Sequence, residues 1–305
     1  MVYTLTLNPA LDYVLKVSSL KTDDINRASD AEIYYGGKGI NVSVVLTRLG
    51  IENKALGFAA GFTGKELERL LEEEGINCDF IFLESGSTRI NVKIKAESEI
   101  DINANGPSLA QSDVEKLFEK LDGIKEGDYL VLAGSVPENM PEDIYESIMQ
   151  YLSSRGVNFI VDATGNLLKN ALKFKPFLIK PNHIELGDLF GIKAESDEDI
   201  ERLGKELQSL GARNVLVSRA EKGAVLIDEN GEISKTENAK GTLINSVGCG
   251  DSMLAGFLAG YIENGDFKTA LKLGTACGNA TAYSNSLCEK NEVERLYEEL
   301  EKFRH

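Results

Sequence analysis

Tyr129-Leu130-Val131-Leu132-Ala133 is followed along the chain by Phe159-Ile160-Val161-Asp162, Phe177-Leu178-Ile179 and Val215-Leu216-Val217. Short aliphatic runs without polar alternation read as strands buried on both faces, as parallel strands are. The stretches between them carry helical periodicity. Ser112 with Glu115 predicts a capping box ahead of Val114, Leu117, Phe118 and Leu121. Ser196 predicts an N-cap for a helix that turns Ile200, Leu203, Leu207 and Leu210 inward and closes at Gly211. Strand and helix alternate, which is the rhythm of an α/β fold with a doubly wound, mostly parallel sheet flanked by helices. Asn230-Gly231, between Val225-Leu226-Ile227 and Ile233, predicts a hairpin.

Two segments break that rhythm. About 11–35 and 88–104 are strand-like, with no helix between their strands. In the second, Ile90, Val92, Ile94 and Ala96 alternate with Arg89, Asn91, Lys93 and Lys95, which makes a strand with one apolar and one polar face. It reads either as an edge strand with one wet face or as part of a small β-sheet lid. The lid reading turns Arg89 and Asn91 toward a ligand and leaves an apolar face for a second lid to cover, hence a homodimer. With no repeat or flexible linker, the expectation is a single domain over 1–305 with this discontinuous lid.

A chain of 305 residues can bury a large core. Its net charge of −16 argues against nucleic-acid or anionic-membrane surfaces. There is no N-terminal signal pattern and no apolar run of spanning length. Cys78, Cys249, Cys277 and Cys288 lack paired spacing and read as reduced thiols, so a cytoplasmic location is expected. His183 and His305 are the only histidines, and both read as bystanders.

The chemistry concentrates in Asn245-Ser246-Val247-Gly248-Cys249-Gly250-Asp251-Ser252. Two glycines lead into an apolar helix whose first N–H groups lack intrahelical partners, and such an end binds anions. Asp251 there is either a favourable first-turn charge or a base that takes a proton from an attacking hydroxyl. Cys249 is either a small buried residue or a thiol activated by the helix end. Gly36-Gly37-Lys38-Gly39-Ile40-Asn41 opens a helix expected at Val42–Leu49, and no GxxxxGK[ST] loop is present. Asn182 with Glu185 also fits a plain capping pair.

Together these segments resemble the ribokinase-type (PfkB) carbohydrate kinases, and the resemblance runs over residues 2–296. It implies a ribokinase-like fold and an enzyme that transfers phosphoryl from MgATP to a phosphosugar. The expected substrate is fructose 1-phosphate, with tagatose 6-phosphate and fructose 6-phosphate as alternatives. By the likeness, Asp251 is the catalytic base and the N–H groups of Gly248, Cys249 and Gly250 form the anion hole. Asp12, Gly37, Lys38, Gly39, Asn41, Asn91, Asn103 and Ser135 would surround the sugar, with Arg89 and Arg27 on its phosphate. Lys180, Asn182, Ser218, Arg219, Ala220, Glu221, Lys222, Gly223, Thr275 and Asn279 would hold ATP. Asn182 and Glu185 would organise Mg²⁺, and carbonyls near Asn245 and Val247 a monovalent cation. Ala220 stands where the family usually has glycine. Two rivals compete with this reading: a catalytically dead sugar-phosphate sensor, against which Asp251 and Glu185 argue, and a dinucleotide-dependent oxidoreductase, which lacks GxGxxG after the first strand.

Overall fold

The computed structural model describes residues 1–97, 99–141 and 143–302, so His305 lies outside them. The chain opens with strands β1 (Val2–Thr6), β2 (Ala10–Lys16) and β3 (Asp30–Gly36), then α1 (Lys38–Leu49), β4 (Asn53–Ala60) and α2 (Gly61–Glu73). Next come β5 (Cys78–Leu83), β6 (Arg89–Lys95), β7 (Glu99–Ile102), α3 (Gln111–Leu121), β8 (Tyr129–Ala133) and α4 (Ile144–Leu152). After β9 (Asn158–Asp162) and α5 (Gly165–Ala171) follow β10 (Leu178–Ile179), α6 (His183–Phe190), α7 (Asp197–Ser209) and β11 (Asn214–Ser218). The hairpin β12 (Ala224–Ile227) and β13 (Ile233–Thr236) precedes α8 (Cys249–Asn264), α9 (Phe267–Ala282) and α10 (Lys290–Lys302).

The large sheet has the order β13-β12-β11-β10-β9-β8-β1-β4-β5. From β11 to β5 every pairing is parallel, and at the other edge β11–β12 and β12–β13 are antiparallel. One apolar layer sets Val131, Ile160 and Leu216 against α1, α8 and α9, and the other sets Leu130, Val161 and Val217 against α3, α4 and α7. Alternation within each buried strand feeds both layers, which is why the runs look uninterrupted in sequence. The chain runs from β1 to β4 on one side and later returns to β8 on the other. In such sheets the crevice at the strands' carboxyl ends, where the order reverses, is the place for a ligand.

The segments that break the rhythm form a second sheet, β3-β2-β6-β7. Here β6 is an interior strand, paired with both β2 and β7, so it is not an edge. Its register sets Ile33, Tyr13, Val92 and Ile102 in one row across four strands, and Asp12 beside Asn91 on the opposite face.

Three local expectations are corrected. Helix α3 is capped two residues ahead of the predicted box: Ser112 lies inside its first turn, and the Asp113 carboxylate accepts from Ala110 N–H at 3.0 Å. Leu210, expected inward, is 53 % exposed, because the chain turns at Gly211 with φ 135° and carries Ala212 into the core instead. Helix α1 begins at Lys38, a turn ahead of Val42, so Lys38, Gly39 and Asn41 belong to its first turn.

Candidate active site

Gly37 takes φ 127°, and the helix it opens presses onto the end of β1. A Cβ on Gly39 would stand 2.5 Å from Thr6 Oγ1 and 3.2 Å from Leu5 O. Only glycine lets the first turn of α1 approach that closely. The approach brings Lys38 and Asn41 over the carboxyl edge of the large sheet.

That edge is the floor of a cleft of about 730 Å³. Thr6 and Asn8 reach it from the end of β1, Gly134 and Ser135 from β8, Lys180 from β10 and Ser218 from β11. Asp162, at the end of β9, is 2 % exposed and lies beneath two lysines. Lys38 Nζ is 2.9 Å from Asp162 Oδ1, and Lys180 Nζ is 3.1 Å from Asp162 Oδ2. The Lys180 contact is an ion pair without full hydrogen-bond geometry. Burial pushes the Asp162 carboxyl up, but Lys180 and Lys38 outweigh it and hold it below its usual range. Burial alone would lower Lys38; Asp162 and Asp251 raise it instead. Sequence reasoning took Asp162 only as a strand residue. The available signal was its position as the last residue of a buried parallel strand, which faces the ligand edge.

Helix α8 closes the cleft. Gly248 is its N-cap at φ 78°, and no side chain caps its first N–H groups. Asp251, in that first turn, is 6 % exposed and accepts from Asn41 Nδ2 at 2.8 Å. Burial, and then the charge of Asp162, push its carboxyl up to about 6. A base near that value is ionised at neutral pH yet basic enough to take a proton. Lys180 also packs here, since a Cβ on Gly250 would lie 3.0 Å from its Nζ.

The polar face of the small sheet roofs the cleft. Asn91 Nδ2 donates to Asp12 Oδ1 at 2.9 Å, and burial raises the Asp12 carboxyl despite that bond. Arg89 is half-buried, and that desolvation lowers its pKa. Its Nε has no partner, and Nη1 reaches only Ala104 O at 3.4 Å. Lys93 and Asn103 complete this side. Seven charged residues line the cleft, the cations Lys38, Arg89, Lys93 and Lys180 against the carboxylates Asp12, Glu185 and Asp251. In a chain of net charge −16, the balance here favours an anionic ligand.

Asn182 and Glu185 form the reciprocal cap of α6: Asn182 Oδ1 accepts from the Ile184 and Glu185 N–H groups, and Glu185 Oε2 from Asn182 N–H. The cap consumes the Asn182 oxygen and leaves Glu185 Oε1 for the cleft that both residues line. Of the residues 218–223 expected to hold ATP, Ser218 lines the cleft, while Arg219 is buried, pairs with Asp197 and donates to Lys222 O at 2.8 Å. Ala220 adopts φ 49°, the left-handed backbone that glycine would take without strain. Glu221, Lys222 and Gly223 are outside the cleft lining.

Thr275 and Asn279 are buried and already engaged. Thr275 Oγ1 lies 2.6 Å from Thr236 Oγ1, and Asn279 Oδ1 accepts from Ala239 N–H at 2.8 Å. They fasten α9 to the 236–239 segment. Arg27 is exposed on the β2–β3 connection, outside the cleft lining. Burial, and then Asp251, push the Cys249 thiol up to about 11, which favours the small buried residue over the activated thiol. Among the described residues no His, Cys, Asp and Glu cluster could hold a metal alone, and no helix is long and apolar enough to cross a membrane.

The sequence matches the family described as pfkB family carbohydrate kinase over residues 2–293. It is 42 % identical over 300 residues to a 1-phosphofructokinase of Bacillus subtilis, covering 98 % of each chain. To a D-tagatose-1-phosphate kinase of Bacillus licheniformis it is 36 % identical, covering 99 % of each. The solved structure of Phosphofructokinase-2 from Escherichia coli in complex with substrates and products superposes with a TM-score of 0.92 at 28 % identity, covering 98 % of this chain and 99 % of that one. Other structures of that protein are described as a complex with potassium and as a tetrameric inhibited form.

Proposed function

The chain belongs to the pfkB family of carbohydrate kinases and is an ATP-dependent phosphosugar kinase, and we propose that it phosphorylates the C6 hydroxyl of fructose 1-phosphate. The observation that carries this reading is the pairing of Asp251, at an uncapped helix N-terminus, with an Arg89 guanidinium whose Nε has no partner, in one cleft. Arg89 takes the substrate phosphate in its fork and so sets the far hydroxymethyl group toward Asp251. Asp12, Asn91 and Asn41 hold ring hydroxyls. Asp251 accepts the C6 hydroxyl proton as that oxygen attacks the γ-phosphorus of ATP and the bond to the β-phosphate oxygen breaks. The N–H groups of Gly248 to Asp251 bind the transferring phosphoryl oxygens, and Lys180 the donor phosphates. Glu185 Oε1, in a pocket that Asp162 also lines, would help hold Mg²⁺ through water, and the ion would supply neutralisation of phosphate charge. Main-chain carbonyls near Asn245 and Val247 are the proposed seat of a monovalent cation.

The test is a panel: ADP formation with fructose 1-phosphate, tagatose 1-phosphate, fructose 6-phosphate, tagatose 6-phosphate and free fructose. The highest kcat/KM is expected with fructose 1-phosphate. Equal use of free fructose would remove the phosphosugar assignment. Tagatose 1-phosphate is the second reading, favoured by the D-tagatose-1-phosphate kinase relative; the two sugars differ only in configuration at C4. Arg89→Ala is expected to raise KM for the sugar phosphate about 10- to 100-fold, the worth of a charge-assisted contact of roughly 1.5–3 kcal/mol, with KM for ATP nearly unchanged.

The four-stranded sheet acts as a lid in a single domain, and we take two lids to meet in a homodimer. Ile33 and Ile102, at the ends of the apolar row, are 51 % and 56 % exposed, and one isologous face can cover another. Val92→Lys introduces an unpaired charge at that face and should weaken the dimer at least about tenfold in Kd while raising KM for the sugar. Sedimentation showing a fully active monomer would contradict the pairing. A cytoplasmic location belongs to the same proposal, since all four cysteines stand free as a reducing compartment keeps them.

A further inference from the structure

Asn8 lies just past β1, and no role was read for it in the sequence. It is 8 % exposed and lines the cleft. Its Oδ1 is closed off from solvent and accepts no hydrogen bond. That oxygen is pressed against Gly106, where a Cβ would stand only 2.1 Å away. With the carbonyl half shut in, the amide nitrogen is the half left to serve the cleft that Asn8 lines. The 103–106 segment also supplies Asn103 to the cleft and the Ala104 carbonyl that Arg89 reaches. Asn8, Arg89 and Asn103 therefore share one end of it.

The chemistry of that end is donor-rich. Arg89 keeps a buried Nε without a partner, and an amide N–H beside it adds a neutral, directional donor. A phosphate dianion only accepts, so it suits such a pair. Asp12, the neighbouring carboxylate, is already bonded by Asn91. We propose that Asn8 is a ligand of the substrate's phosphate, donating its amide N–H to the group that Arg89 holds, with Gly106 as the spacer that keeps it there. This rests on the phosphosugar reading of the same cleft.

Asn8→Asp preserves shape and replaces the donor with a negative acceptor. It should raise KM for fructose 1-phosphate at least about tenfold, and raise equally the inhibition constant of inorganic phosphate competing with the sugar. KM for ATP should stay within about twofold. Gly106→Ala, which displaces Asn8, should shift the same two constants in the same direction, and it keeps the test open if Asn8→Asp does not fold. Phosphosugar and phosphate constants within twofold of the parent in both variants would overturn the proposal. So would an equal rise in KM for ATP, the mark of a general structural fault. Failure of the underlying reading is separate: the parent enzyme would then use free fructose as well as its 1-phosphate, whatever the variants do.

Discussion

Replacing Asp251 by Asn is expected to lower kcat at least about 10²-fold while ATP and the sugar phosphate still bind. The amide keeps the shape and the bond from Asn41 but cannot accept the hydroxyl proton. A second consequence separates this variant from a merely damaged one. The Asp251 carboxyl is pushed up to about 6 by burial and by Asp162, so ionising it costs the folded state free energy. The folded-state value lies above the ordinary 3.8, so the native protein binds this proton more tightly than the unfolded chain. Stability therefore falls as pH rises from about 4 to about 6, and the cost persists above. Asp251→Asn should melt at a higher temperature than the parent at pH 8, with the gap closing toward pH 4. In the parent, kcat/KM should rise with pH through a midpoint near 6. Near-normal turnover by Asp251→Asn would take the residue out of the base role.

Removal of Asp162 carries the largest expected loss of stability. Lys180 is almost fully buried, and Asp162 is its counter-charge. Stripping one partner from a buried ion pair costs about 3–5 kcal/mol, because the other charge stays behind unpaired. Asp162→Ala should lower the urea midpoint accordingly, and Asp162→Asn, which keeps the volume, should do so less. The freed lysines would turn toward Asp251, which both already influence. The acid limb of kcat/KM should then move below pH 6 in Asp162→Asn. An unchanged midpoint and an unchanged limb would show that Asp162 neither anchors the lysines nor sets the base.

The βαβ alternation was readable because buried parallel strands are aliphatic on both faces, and Val131, Ile160 and Leu216 needed no tertiary information to be recognised. The second sheet was readable from the alternation around Asn91. Its four-stranded order was not, since β6 gains β7 and β2 through pairings that no local pattern encodes. Helix ends were the weakest part. Ser112 had a competitor in Asp113 one residue on, and Leu210 was periodic in sequence but lay beyond the last helical turn. At the site, the glycine blocks exposed themselves through spacing. Asp162 and Asn8 did not, because a single polar residue at a strand end has no motif around it. Their importance comes from what the sheet brings together: Asp162 meets Lys38 across 124 positions of sequence. Arg219 shows the converse, a cation in a recognisable loop that the fold uses to tie Asp197 to Lys222.

The most direct test of the account follows the phosphorus. Phosphorus NMR of the parent enzyme with ATP and fructose 1-phosphate should show a new resonance for a phosphate at C6, matching fructose 1,6-bisphosphate and equal in amount to the ADP formed. Asp251→Asn under the same conditions should form it at least about 10² times more slowly. ADP accumulating without the bisphosphate, or the bisphosphate forming at the parental rate in Asp251→Asn, would contradict the central claim.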